Sequence, residues 1–594
     1  MIKDVAYSSN ESPADYARIS REINNSDYLR DVSVAFLSSY TMEILKPYIH
    51  VELAKRGLFS STYFAPYNNL EQEINNNNSG LHSFNPDVVV IHNRIEDINL
   101  EVLTRFYSYS VDELENEVES IILRFRDILE TLRKKSNALI IIINFAYTQD
   151  QVGNFVGSQL SHSISMYIQN INNQLWKLCS EITSCYVINY QQLLLEYGLH
   201  NWIDSRLYFL GRIPFSGNAQ IKMGKALART ISATCVAPCK CLVLDLDNTL
   251  WGGVLGEDGI SGIQLGDDYP GNVYKSFQRT ILSLRDQGIL LAIASKNNIS
   301  DAMEVIEKHT SCLIKKKHLS SIQINWNDKA TNIHVIAKEL NIGIDTIAFF
   351  DDNPVEREWV KKQIPEVKVI DVPKNPILYS WALLGSELFD KVSLTREDKN
   401  RADIYNQEKK RNEFHVKSKS VDNFLEGLEM SVTLGFVGDI TLSRVEQLVN
   451  KTNQFNLTCI RHTAENIKMI INSGGVAIWM SVKDKFGDSG VVGIAIAKKM
   501  KDGQWLIDTF LLSCRVIGRK LDLVLLNYIC KIVKGKGGSE LYGEYIATPR
   551  NGLVCDFFVE HGFDRVVNKS NYWSYNLKAG SIKYPDFIRS EFVG

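Results

Sequence analysis

The hydrophobic and polar positions of this chain fall into three successive regimes. From Val32 to about residue 190, short apolar runs (SVAFL from Ser33, VVVIH from Val88, ALIIII from Ala138) are separated by polar turns and by a long amphipathic stretch, Val111 to Lys135. Strand-length apolar runs alternating with helical periodicity predict a parallel sheet with crossover helices. A second series begins at Cys241. CLVL, ILLAIAS from Ile289 and TIAFF from Thr346 read as buried parallel strands, and Lys329 to Leu340 as an amphipathic helix. From about Glu429 the pattern changes again: a helix over Ser443 to Lys451, three strands (VAIWMSV, VVGIAIAKKM, QWLIDTFLLS), an apolar helix over Leu521 to Val533, and a strand over Glu540 to Thr548. The expected fold class is therefore multidomain α/β. Its expected parts are an α/β domain over 1–235, a second over 236–380, a charged helical connector over 381–428, and an α+β domain over 429–594. Residues 1 to about 30 read as a polar helical entry, and the run Asn75 to Asn78 as a surface loop.

Length and composition agree with this division. A chain of 594 residues exceeds one core, and a hydrophobic content of 45% can fill three or four. The formal net charge of −3 gives no electrostatic case for nucleic acid or an anionic membrane surface. The N-terminus lacks a basic start followed by an apolar stretch, and no apolar run approaches spanning length, so a cytoplasmic protein is expected. Ten cysteines at irregular spacing do not make a disulfide framework. Cys235, Cys239 and Cys241 cluster, but no CxxC or histidine pair completes a zinc site.

The most chemical stretch is CLVLDLDNTLWGGVLGEDG, Cys241 to Gly259, where Asp245 and Asp247 emerge together at the end of a buried strand. Two close carboxylates must share a proton or hold a cation, and oxygen ligands of this kind suit Mg²⁺. DxDNTLW resembles motif I of the haloacid-dehalogenase (HAD) phosphohydrolases. Ser295-Lys296 at the end of a strand resembles motif II, Lys329 at a helix start motif III, and Asp351-Asp352 at the end of another strand motif IV. The resemblance implies that Asp245 is the nucleophile that forms an aspartyl-phosphate, and that Asp247 protonates the leaving oxygen and then activates water. It also implies that Asp245, the backbone carbonyl of Asp247 and an acid of the Asp351/Asp352 pair hold Mg²⁺. Thr249, Ser295, Lys296 and Lys329 would bind the phosphoryl group. Spacing leaves open which of Asp351 and Asp352 touches the metal. The glycine-rich segment Trp251 to Gly259 reads as a small flap without a large cap, so a bulky or protein-bound substrate could enter.

The flanking regions carry weaker signals. Ser38-Ser39-Tyr40-Thr41 after the first strand, with Asn144 at the end of a later one, resembles SGNH hydrolases. Where those enzymes carry Asp-x-x-His this chain has Asp204-Ser205-Arg206-Leu207, so an SGNH-like (flavodoxin-like) domain without hydrolase activity is expected. In the C-terminal part, SCRVIGRK between a strand and a helix resembles the pyrophosphate loop of GCN5-related N-acetyltransferases (GNAT), with Arg515, Gly518 and Arg519 as binding residues. Phe557 to Phe563 is similar to that family's closing segment. Lys520 stands where a small residue is usual, which favours the single phosphate of a phosphopantetheine arm over the pyrophosphate of coenzyme A. The pairing of a HAD core with SCRVIGR resembles the FkbH family. That resemblance implies capture of a phosphoglyceryl group from 1,3-bisphosphoglycerate or a similar acyl phosphate, its dephosphorylation, and delivery of glyceryl as a thioester to an acyl carrier protein in polyketide-type or related biosynthesis. Cys514, among Arg515, Arg519 and Lys520, is a candidate acyl relay, or else a small buried residue closing a strand. The rival readings are a stand-alone Mg²⁺-dependent HAD phosphatase with a separate acetyl-coenzyme A-dependent transferase domain, and a biosynthetic scaffold.

Overall fold

The computed structural model describes residues 12–23, 30–148, 159–160, 162–392, 411, 414, 418, 420–501, 503–567, 571–578 and 580–593. They divide into two compact units, one reaching to Cys235 and including Thr463–Asn466, the other holding the rest. The stretch Thr395 to Glu429 that reads as a charged connector lies largely outside the described residues. Within it, Val421–Gly427 is a helix capped by Ser420.

The first unit is built on β1 (Arg30–Ser38), β2 (Leu58–Phe64), β3 (Val88–His92), β4 (Leu139–Ile143) and β5 (Cys185–Ile188), all parallel in the order β2-β1-β3-β4-β5. Every residue of β3 and β4 is buried because helices cover both faces, which is why these strands are uninterrupted apolar runs rather than alternating ones. The helix Val111–Lys135 starts at a capping box in which Ser110 and Glu113 satisfy each other's backbone N–H groups. It turns Leu114, Val118, Ile121, Phe125, Ile128 and Leu132 into the core at helical spacing. The polar entry segment has a structural role: helix Pro13–Glu22 buries Tyr16 and Ile19, and Tyr16 donates to buried Glu52 at 2.5 Å.

The second unit opens with β6 (Cys241–Leu244), β7 (Leu290–Ser295), β8 (Ser321–Ile324), β9 (Ile347–Phe350) and β10 (Lys368–Val369), parallel in the order β10-β9-β6-β7-β8. Strand β6 is central and its neighbours β7 and β9 follow it in sequence, so the strand order reverses around it and a crevice opens at its C-terminal end. Cys239 and Cys241 are buried in this core, and burial pushes both thiols up, Cys239 to about 12; neither belongs to a metal-ligating group among the described residues.

The remaining strands are β11 (Ser431–Phe436), β12 (Val476–Asp484), β13 (Gly487–Lys499), β14 (Gln504–Leu512), β15 (Glu540–Glu544), β16 (Asp564–Arg565), β17 (Tyr572–Asn576) and β18 (Arg589–Val593). They form one mixed sheet in the order β16-β17-β15-β14-β13-β12-β11-β18. The helix Leu521–Gly535 packs its apolar face on this sheet. Strands β14 and β15 pair in parallel only from Gln504 to Ile507. Beyond that the segment around Leu457 lies between them: Leu457 N–H donates to Phe510 O at 3.2 Å, and Leu457 O accepts from Ile546 N at 2.9 Å.

Candidate active site

Three of the residues singled out in the sequence, Asp245, Asp351 and Asp352, converge where β6 and β9 end side by side. The backbone fixes this, because Leu244 pairs with Phe350 and Asp245 N–H then donates to Phe350 O at 3.1 Å. One carboxylate oxygen from each of the three lies within 4.8 Å of the others. Lys329, at the first position of the helix Lys329–Glu339 that Asp328 caps, reaches into the same space. Its Nζ is 3.1 Å from Asp245 Oδ1 and forms a short ion pair with Asp351 Oδ2. Asp245, Lys329 and Asp351 are all buried.

The electrostatics are unbalanced. Burial and the neighbouring Asp245 raise the Asp351 carboxyl to about 7 against the opposing pull of Lys329, and burial and Asp245 also raise Asp352. Burial works against the Lys329 charge, but Asp245 and Asp351 together outweigh it and hold its pKa above the ordinary lysine value. Three carboxylates against one ammonium leave a formal charge of −2, the deficit a divalent cation would neutralise. Asp245 Oδ1 is buried against Lys329 Nζ without a well-formed hydrogen bond. The donor set, all hard oxygens, fits Mg²⁺. The side chain of Asp247 is not part of this cluster.

Asp247 is instead fixed from both sides. Its Oδ1 accepts from Trp251 Nε1 at 2.9 Å and from Leu255 N at 3.2 Å, and its Oδ2 accepts from Asn297 Nδ2 at 2.9 Å. Thr249 is fully buried and bonds Asp352, Oγ1 donating to Oδ1 at 3.2 Å and accepting from Asp352 N at 3.3 Å. Ser295 is buried at the end of β7, next to β6. Lys296 pairs with Glu356 at 2.7 Å. Arg357 holds the Asp351-Asp352 turn through the carbonyls of both residues, each at 2.8 Å. Trp251, Asn297 and Arg357 were not among the residues singled out from the sequence. Trp251 stands inside the quoted stretch Cys241 to Gly259, Asn297 directly after Ser295-Lys296, and Arg357 six residues after Asp351, so position relative to the motifs was the available signal.

The second predicted constellation, the SCRVIGRK loop, is a single 3₁₀ turn, Cys514–Val516, leading to the helix Leu521–Gly535. Gly518 has φ +80°, a conformation glycine adopts without strain, and Lys520 precedes the helix with φ +59° and no side-chain cap. Arg515 Nε donates to Ser513 Oγ at 3.4 Å. Arg519 is buried, its guanidinium donating to Arg515 O at 2.7 Å and standing 3.5 Å from Asp484, which Arg411 also grips at 2.5 and 2.8 Å. Cys514 is half-buried, and its carbonyl accepts from Asn341 Nδ2 at 3.2 Å. Asn341 lies just beyond the far end of the helix that Lys329 begins, about 18 Å along its axis at 1.5 Å per residue. The structure thus does not bring Cys514 to the carboxylate cluster.

A parallel sheet whose central strand delivers a carboxylate to its C-terminal end, faced by a second acidic turn and a helix-borne lysine, gives the central domain the fold of the HAD-type phosphatase domains. Comparison with known proteins bears on this directly. The N-terminal part of the Bacteroides fragilis protein BF1531, described as containing a phosphatase domain complexed with Mg, is similar at 27% identity and TM-score 0.58 over 65% of this chain and 100% of that one. Residues 33–230 match the family model described as FkbH, N-terminal domain. A GNAT-family acetyltransferase from Staphylococcus aureus Mu50 (12% identity, TM-score 0.20, 25% of this chain and 99% of that one) and the Escherichia coli ribosomal-protein-S18-alanine N-acetyltransferase (8%, 0.20, 25% and 94%) also match. No curated protein matches the chain.

Proposed function

We propose that this chain is a Mg²⁺-dependent phosphatase of the HAD type that takes a phosphoglyceryl group from 1,3-bisphosphoglycerate or a similar acyl phosphate and removes its phosphate. Its C-terminal domain would pass the glyceryl group to the phosphopantetheine arm of an acyl carrier protein. The convergence of Asp245, Asp351 and Asp352 on Lys329 carries the proposal. Asp245 attacks phosphorus and holds the aspartyl-phosphate, Lys329 and Ser295 neutralise the phosphoryl oxygens, and Asp247, oriented by Trp251 and Asn297, gives a proton to the leaving oxygen and takes one from water. Mg²⁺ held by Asp245, Asp351 or Asp352 and the Asp247 carbonyl would supply charge stabilisation to the phosphoryl group. For a phosphopantetheine phosphate, the N–H groups at the start of Leu521–Gly535, with Lys520 and Arg515, are the fitting partners; Arg519 is already engaged by Asp484. The distance from Cys514 to the carboxylate cluster favours an acyl group travelling on a long arm over direct presentation by the Cys514 thiolate.

The test is intact-protein mass spectrometry of a holo acyl carrier protein incubated with the chain, Mg²⁺ and 1,3-bisphosphoglycerate. Glyceryl on the carrier in wild type and its loss in Asp245→Asn would support the whole reading. Mg²⁺-dependent phosphate release from small phosphoesters without carrier modification would leave a stand-alone phosphatase, the reading that the same separation also favours.

A further inference from the structure

The first unit has a second polar centre. Strand order reverses between β1 and β3, the place where doubly wound sheets open a crevice at their C-terminal ends. Ser38 pairs with His92 and Ile91 with Ile142, so Ser39, Asn93 and Asn144, just past the paired positions, leave the sheet in one row. Arg94, Glu96 and Asp97 join them. Ser39 Oγ donates to Asp97 Oδ2 at 2.7 Å and accepts from Arg94 N at 3.0 Å, while Glu96 Oε1 accepts from the amide and hydroxyl of Thr148 at 2.9 and 2.6 Å. The Arg94 guanidinium stands 3.5 Å from Glu96 and 3.6 Å from Asp97.

Asn93, Arg94, Glu96 and Asn144 carry polar atoms shut off from solvent and without a hydrogen bond; Arg94 Nη1 and Glu96 Oε2 are held in the ion pairs just described, while Asn93 Oδ1, Arg94 Nε and Asn144 Nδ2 have neither kind of partner. All four residues are more than nine-tenths buried. A buried polar atom left unmatched has lost its hydration with nothing in return, so three together call for a polar occupant. The helix Ser205–Gly211 covers the cluster while burying none of its own side chains; Phe209 and Leu210 are 81% and 74% exposed. It is tied down by Tyr208, whose ring lies 4.2 Å from the Arg94 guanidinium and whose hydroxyl donates to Asp97 Oδ1 at 3.1 Å. A cover held by polar contacts without buried apolar area opens at low cost.

Charge and chemistry define the occupant. Arg94 and Arg212, which donates to Tyr208 Oη at 3.2 Å, balance Glu96 and Asp97, and His92 stays neutral because burial and Arg94 push it down to about 3. The His92 ring bonds the Tyr40 hydroxyl at 2.6 Å and Ser39 Oγ donates to Asp97, so among the described residues no histidine bonds Ser39 as a base would. We propose that this crevice binds a small uncharged molecule with a hydroxyl group and a carbonyl. The hydroxyl donates to Asn93 Oδ1, and the molecule's oxygens accept from Arg94 Nε and from Asn144 Nδ2.

Saturation-transfer NMR on the full chain with D-glyceramide, and with D-glycerate as its anionic counterpart, tests this. D-glyceramide should bind, D-glycerate more weakly, and Asn93→Ala and Asn144→Asp should each weaken D-glyceramide at least tenfold. Asn144→Asp keeps the oxygen that accepts from Tyr190 N at 2.6 Å while turning the free donor into an acceptor. Absence of transfer from D-glyceramide, equal binding by wild type and Asn144→Asp, tighter binding of D-glycerate, or a crystal structure grown with D-glyceramide showing only water on the three atoms would each overturn the proposal.

Discussion

Single side chains divide the candidate active site into groups that react and groups that aim them. Asp247 owes its position to Trp251, Asn297 and the Leu255 amide. Removing one donor should misalign the proton transfer without touching phosphate binding, so Asn297→Ala and Trp251→Phe should lower kcat on the order of tenfold with KM little changed. Steady-state kinetics on a small phosphoester checks this, and Asn297→Gln should recover part of the loss. Asp245→Asn, by contrast, should abolish phosphate release altogether. A residue-level pH effect belongs to the C-terminal domain. His561 Nε2 bonds Asp522 in the first turn of Leu521–Gly535 at 3.0 Å, and although burial lowers the imidazole pKa, Asp522 and the Phe557 carbonyl raise it above its ordinary value overall. A raised folded pKa stabilises the fold below the unfolded pKa and loses that contribution as pH rises through the folded one. The Tm gap between wild type and His561→Gln should therefore be widest near pH 6 and shrink through neutral and mildly alkaline pH, as thermal denaturation would record.

At the scale of elements, the same local rules recur in each sheet: a capped helix start, an apolar strand, a polar strand exit. Ser110 is the sharpest case, closing a capping box on the longest helix of the first unit. Ser110→Ala should cost about 1 kcal/mol, read as a lower denaturation midpoint with an unchanged slope. The strands of the first two parallel sheets and the helix Val111–Lys135 were legible because burial on both faces leaves an uninterrupted apolar run and a capped amphipathic helix leaves a 3.6-residue period. Other edges moved. The strand expected to reach Thr548 ends at Glu544, because beyond it the Leu457 segment takes over the pairing, a contact between residues far apart in the chain that no local pattern encodes.

For the whole molecule, the carboxylate cluster links metal binding to stability. Because an ion that binds only the folded state stabilises it by mass action, Mg²⁺ should raise the Tm of the wild-type chain and chelation should lower it. Asp351→Asn, with one charge of the −2 deficit removed, should respond less, as differential scanning calorimetry across a Mg²⁺ series would reveal. The sequence by itself determined the four acidic and basic motif positions, the parallel strands that deliver them and the absence of a histidine three residues after Asp204. These are properties of residue type and local period. Tertiary structure alone decided that Lys296 and Arg519 are drawn into ion pairs, that Cys514 stands a helix length from Asp245, and that Asn93, Arg94 and Asn144 meet with unmatched polar atoms. Each depends on which side chains strands and helices distant in sequence bring together, and spacing along the chain carries no record of that.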